Sequence, residues 1–285
     1  MPNRGMPYAR PRSTPYPPDL RSLLLSACSV LFGISMHMWL EEHNEHHAYT
    51  LRPHGDPQFT YFPMWLQTPA EIPEWEKAVQ KMPNSTLRWF VWNATKALVR
   101  VQHLTFLPLA LVVGRVNFLM INFAYAVHHA KWADIVAMTL HGLWYSAYIK
   151  CLLPESFQAR ALFVLVHFTW TGVLHVQLLL SHLMMQQFNE REEAALGFVK
   201  CQLLTTRNIH SAKWLRWFHG GLDMQIEHHL FPMLPRHQLH DIAPRVRALA
   251  EKHGVPYIQL GFFEANWVCL SELHKMSTSL VAMSM

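Results

Sequence analysis

Four apolar stretches constrain this chain more than any other feature of its sequence. They run from Leu20 to Ile34, from Leu104 to Val127, from about Ile135 to Leu153 and from about Ala161 to His182. A helix that crosses a bilayer needs about 20 apolar residues. The first stretch is too short for that. The second is long enough but carries Pro108, Arg115, Asn117 and Asn122, and an Arg near the centre of a span costs about 2.5–3.5 kcal/mol. It is therefore expected to lie in the interface or to re-enter. The third ends at Pro154, and only a few residues separate it from the fourth, as in a helical hairpin that crosses a bilayer. Hydrophobic residues make up 51% of the chain and charged residues 15%, against about 25% charged in an average soluble domain. This balance excludes a disordered chain.

The expected fold is an all-α integral membrane protein. A helical hairpin spans the bilayer, other helices lie in the interface, and the polar segments form a helical cap. Residues 1–19 are Pro-rich and basic and read as a disordered or extended tail, without the apolar core of a secretory signal. Residues 20–262 form one domain, and residues 263–285 are expected to be a C-terminal tail. The net charge of +5 suits the basic flanks of membrane segments, and nothing resembles the basic, aromatic groove of a nucleic-acid binder. Cys28, Cys151, Cys201 and Cys269 lack the CxxC spacing of a cysteine metal site.

Histidine is the compositional outlier, with 20 residues. Two tight clusters stand out. HNEHHAYT holds His43, His46 and His47, and QIEHHLFP holds His228 and His229 with Gln225 three residues earlier. On a helix, i, i+3 and i+4 lie on roughly one side, so HxxHH aims its imidazoles together. Imidazole suits Fe, Zn and Cu. His182 closes the fourth apolar stretch and joins the candidate ligands, because an ionisable group at a span carries a functional expectation. His175, seven residues earlier on a similar face, is a candidate for a supporting position behind the ligands. The isolated His103, His141, His210, His219, His253 and His274, and the pair His128 and His129, read as structural. If both clusters serve one site, an even number of crossings separates His47 from His228. Three apolar stretches lie between them, and Leu104 to Val127 is the one expected not to cross.

WLEEHNEHHAYT with DPQF soon after, and FVKCQLLTTRN followed by WFHGGLDMQIEHHLFPMLPRHQL, resemble the second and third histidine boxes of the membrane-bound fatty acid desaturases. Gln225 in QxxHH is similar to the front-end members, which often carry a fused cytochrome-b5 domain. The resemblance covers roughly Gly33 to Tyr257. It implies that His43, His46, His47, His182, His228 and His229 bind two iron ions, with Gln225, Asp223, Glu227 and Asn44 available behind them. It implies an oxidoreductase that desaturates a fatty acyl lipid or acyl-CoA with O₂, using electrons from cytochrome b5 and its reductase. It also implies a place in the endoplasmic reticulum membrane with the histidine boxes facing the cytosol.

The family's first box, HxxxH, falls about thirty residues before the second. Here that place is the Pro-rich tail, and the first His in the chain is His37. An incomplete amino terminus is the expected explanation. The alternative is a catalytically inactive, desaturase-like membrane protein that binds lipid or an active partner subunit.

Overall fold

The computed structural model describes residues 18–53, 55–58 and 63–283, with the side chains of 18, 19, 21 and 279–283 left aside. The tail expected at 1–19 therefore lies almost wholly outside the described residues. The helices are α1 (Pro18–Phe32), α2 (Met36–Ala48), α3 (Ile72–Gln80), α4 (Ser85–Arg100), α5 (Gln102–Pro108), α6 (Gly114–His128), α7 (Trp132–Leu152) and α8 (Phe157–Leu180). They continue with α9 (Glu190–Leu196), α10 (Phe198–Thr205), α11 (Arg216–His219), α12 (Gln225–Leu230), α13 (Leu239–Lys252) and α14 (Phe262–Met283). Two three-residue strands, β1 (Asn208–His210) and β2 (Gln259–Gly261), pair in parallel with Ile209 opposite Leu260. The fold is thus predominantly helical. The residues sort into two bodies, one of residues up to Glu41 with Phe118–Arg160, the other of Glu42–Asn117 with residues from Ala161 onward.

In the first body α1 lies along α7. α1 stops at Gly33, whose φ of +71° disfavours any residue with a side chain, and a Cβ there would stand 2.4 Å from the His141 ring. Ser35 then caps α2, its Oγ accepting from the Met38 N–H at 3.1 Å and donating to the buried Asp134 carboxylate. Asn122 Oδ1 accepts from the Ser35 N–H at 2.9 Å, and His37 Nδ1 meets Asp134 at 2.8 Å. These bonds hold the bend of 102° at the break between α1 and α2.

The second body has its core where α5, the end of α8, β1 and α14 meet, around Phe106, Leu180, Leu183, Ile209, Cys269 and Leu273. A smaller cluster joins α10, α12 and α13 through Leu203, Ile226 and Val246. The expected tail at 263–285 is, over its described part, the helix α14. Ala265, Cys269 and Leu273, spaced by four, are fully buried, so this segment belongs to the packed body. Gln102 fixes it there, donating to Leu273 O at 2.9 Å while accepting from the Leu66 N–H at 2.7 Å.

Among the described residues, two helices are long and apolar enough to cross a membrane, Gln102–His128 with 27 residues and Phe157–Leu180 with 24. By length and apolarity the second stretch therefore qualifies as a span, where the expectation has it lie in the interface or re-enter. Pro108 does not break the second stretch, because a π-turn over Leu109–Val113 takes up the missing hydrogen bond and the helix runs on. Asn122 is fully buried, with its amide donating to Phe118 O at 2.8 Å, so it presents no unpaired polar group. α7, expected as one arm of the hairpin, is not among the two. Both of these helices lie between His47 and His228 in the chain.

α8 has two unlike halves. Gly172, Val176, Gln177, Leu179 and Leu180 are buried, whereas Phe157, Leu162, Val166 and Trp170 are exposed. At the boundary, a Cβ on Gly172 would lie 2.0 Å from Leu111 O. Only glycine lets the π-turn approach α8 this closely.

Candidate metal centre

Both histidine clusters sit on helices, and each divides its imidazoles between two sets. His43, His47 and His228 form one set, and His46, His182 and His229 form the other, with the ligand nitrogens of each set within 4.8 Å of one another. The division follows from helix geometry. His43 and His47, one turn apart on α2, share a direction, and His46 points about 100° away from His47. The neighbours His228 and His229 on α12 diverge by the same angle. The expectation that HxxHH aims all three imidazoles to one side is thus refined, since one cluster serves two adjacent sets. The rings of His47 and His229, which belong to different sets, stack at 4.2 Å between centroids.

In the first set the three Nε2 atoms stand 3.1 Å (His47 to His43), 3.1 Å (His47 to His228) and 3.2 Å (His43 to His228) apart. Three acceptor-bearing nitrogens cannot all satisfy one another with protons. A tetrahedral ion with metal–nitrogen distances of about 2.0–2.1 Å would separate its ligands by roughly 3.3 Å, so the spacing fits a shared cation.

In the second set each imidazole is held through Nδ1. His46 Nδ1 donates to Asp56 Oδ2 at 2.7 Å, His229 Nδ1 to Gln202 Oε1 at 2.9 Å, and His182 Nδ1 to Thr205 O at 3.2 Å. These bonds fix the tautomer that leaves Nε2 bare, the arrangement that metal-binding imidazoles require. Nε2 of His182 and of His229 are buried with no hydrogen-bond partner. A buried polar atom left unpaired is costly, and a cation removes that cost.

Charge points the same way. Burial, and then the neighbouring imidazole groups, pull His43 down to about 4 and His228 to about 3. The same causes hold His47, His182 and His229 well below the ordinary imidazole range. These imidazoles are neutral near pH 7, the state in which they bind metal.

The scaffolding comes from two segments whose individual roles the sequence did not disclose. FVKCQLLTTRN supplies Gln202, Thr205, Arg207 and Asn208. Gln202 also donates to His47 O at 3.2 Å, joining the two clusters. Asn208 Oδ1 accepts from the Ile226 N–H at 2.9 Å, and its amide donates to Glu227 at 2.8 Å, which anchors the short α12. Asp56, in the second segment, also accepts from the N–H groups of Leu51 at 2.8 Å and Gln58 at 2.9 Å. Leu51 has a φ of 58°, unfavourable for a residue with a Cβ.

The candidates for places behind the ligands divide. Glu227 is fully buried and bonds to Asn208 and to the Tyr257 hydroxyl at 2.8 Å, so it braces α12, and burial pushes its carboxyl pKa up against those bonds. Asp223 bonds to the Ser211 hydroxyl at 3.0 Å and to His240 at 3.2 Å, not to a ligand imidazole. Gln225 is 1% exposed with both amide atoms unpaired. His175 is in neither set and packs against Gly114, where a Cβ would meet its ring at 2.8 Å. Asn44 makes no bond to the sets among the described residues. Leu51, Gln58, Gln67, Leu178, Leu179 and Leu183 form a cavity with His46 and His182 in its wall.

Paired three-histidine sets in a helical, apolar chain define a candidate two-metal protein. The sequence profile of the fatty acid desaturase family matches residues 9–261, and the chain belongs to that family. It is 31% identical over 252 residues to a Delta(8)-fatty-acid desaturase of Borago officinalis, covering 85% of this chain and 53% of that protein. A Delta(8)-fatty-acid desaturase 2 of Arabidopsis thaliana is 32% identical, covering 87% and 54%. A Delta 8-(E)-sphingolipid desaturase of Komagataella phaffii is 25% identical, covering 88% and 47%. The chain spans about half the length of the curated relatives it matches. No solved structure matches it.

Proposed function

We propose that this chain carries the metal-binding part of a front-end acyl desaturase, which introduces a double bond into the acyl chain of a lipid or acyl-CoA in an O₂-dependent reaction. The observation that carries this reading is the convergence of six imidazoles into two adjacent sets, three with their Nδ1 bonded away from the site. His43, His47 and His228 would hold one iron, and His46, His182 and His229 the other. Iron supplies the ability to activate O₂ for removal of hydrogen from an unactivated methylene pair. Asp56, Gln202 and Thr205 O keep the second set's Nε2 atoms directed inward. The cavity beside His46 and His182, floored by Leu51, Leu178, Leu179 and Leu183, would take the methylenes and exclude water. The two electrons of the reaction would come from cytochrome b5 and its reductase.

The test is iron content and product in the purified full chain. About two iron ions per chain, with O₂-dependent desaturation of an acyl lipid, is the expected result. A chain that holds no iron under reducing, iron-replete conditions overturns the reading and leaves a lipid-binding or partner-pairing protein.

The same reading places the chain in the endoplasmic reticulum membrane, with Gln102–His128 and Phe157–Leu180 as a helical hairpin and the histidine sets in a cytosolic helical cap. Contact between His47 and His228 requires one side for both clusters. Glycosylation acceptor tags inserted near His47 and near His237 should both remain unmodified. Modification of one tag alone contradicts this topology.

A further inference from the structure

The side chain of Arg207 is a buried guanidinium that the metal reading leaves without a role. Arg207 is 3% exposed, and among the described residues no carboxylate lies within ion-pair distance of it. Its donors go to carbonyls at the end of α8. Nε donates to Leu180 O at 2.6 Å, Nη2 donates to Leu183 O, and the backbone N–H donates to Ser181 O at 2.9 Å. Nη2 also lies 3.2 Å from Cys269 Sγ on α14. A helix ends with carbonyls that lack partners and with a partial negative charge. Here one residue takes the carbonyl of Leu180, which ends the helix, together with those of Ser181 and Leu183 in the turn that follows, and supplies the compensating cation.

The carbonyls that Arg207 holds bracket His182 on both sides. The following backbone is strained, with Met184 at a φ of 61°. Thr205, which accepts from His182 Nδ1, lies two residues before Arg207. The segment therefore grips His182 twice, once at the ring and once at the peptide groups that carry it. We infer that Arg207 is the positioning residue of His182: its fork clamps the strained end of α8, so that Nε2 of His182 faces His46 and His229. This inference rests on the metal reading above.

The test uses the full chain in detergent, loaded with Co(II), with ions counted per chain, the ligand-field spectrum recorded and the melting temperature taken without metal. Wild type should bind two ions, and His182→Ala one. Arg207→Lys keeps the charge but loses the planar fork, and it should also bind one ion tightly, with the spectrum of His182→Ala. Its second ion should bind about 10–100-fold more weakly, the size of loss usual for groups that orient ligands. Arg207→Met should behave alike, and His182→Ala combined with Arg207→Lys should bind no fewer ions than His182→Ala alone. Two tightly bound ions in Arg207→Lys, with only the melting temperature lowered, would show a purely structural role and overturn the inference while leaving the metal reading intact. A wild-type chain that binds no ion overturns both.

Discussion

Replacement of His229 by Ala is expected to reduce bound iron from two ions per chain to at most one and to abolish O₂-dependent product. His229 is fully buried, it closes the set with His46 and His182, and its ring stacks on His47 of the other set. Truncation removes one of three nitrogens from its own set, removes the surface against which His47 rests, and strands Gln202 Oε1 without its donor. His219→Ala is the control, because His219 is also a buried imidazole but is in neither set. Metal analysis and product chromatography on both variants check the result. Two iron ions retained in His229→Ala would remove this residue from the ligands and sink the two-set arrangement.

The second large effect is expected at Asp56. One buried carboxylate orients His46, holds the left-handed backbone at Leu51 and closes the turn at Gln58. Hydrogen bonds to charged groups contribute about 1.5–3 kcal/mol each, and a chain of this size shifts its midpoint by roughly 2–4 °C per kcal/mol. With three such bonds lost, Asp56→Ala should lower the melting temperature of the metal-free chain by about 10 °C or more, and iron affinity by about 10–100-fold. Asp56→Asn keeps an oxygen for His46 and Leu51 but loses the charge, so it should recover much of the melting temperature while affinity stays reduced. Equal affinity in wild type and Asp56→Asn would show that the charge on Asp56 does not tune His46.

The histidines were legible because their chemistry is local. HNEHHAYT and QIEHHLFP place their imidazoles by helix spacing alone. Their division into two sets was not legible, since it depends on which sides of α2 and α12 face each other, and that is decided by contacts such as Gln202 with His47, 155 residues apart. The same distance hid the supports. FVKCQLLTTRN and DPQF were visible as motifs, but no local rule says that Asn208 would cap α12 or that Asp56 would hold His46. Among the apolar stretches, Leu104–Val127 reads as non-spanning because of Arg115 above all, with Pro108, Asn117 and Asn122; of these, the costs of Pro108 and Asn122 are removed by a π-turn and by a hydrogen bond. α14 is readable in principle, because Ala265, Cys269 and Leu273 repeat every four residues, whereas a boundary at residue 262 makes the segment a tail.

The two halves of α8 carry a consequence for how substrate choice can change within this architecture. Gly172 marks where the helix enters the packed body, and α8 ends at Leu180, about 12 Å further on at the rise of an α-helix and two residues before His182. Adding or deleting one residue between them would rotate the imidazole by about 100° and carry it out of its set. That interval is a spacer of locked phase. In the proposed desaturase it could not be lengthened by small steps to accept a different acyl chain, and selectivity would change instead through the bulk of side chains that line the cavity, such as Leu51, Leu178 and Leu179.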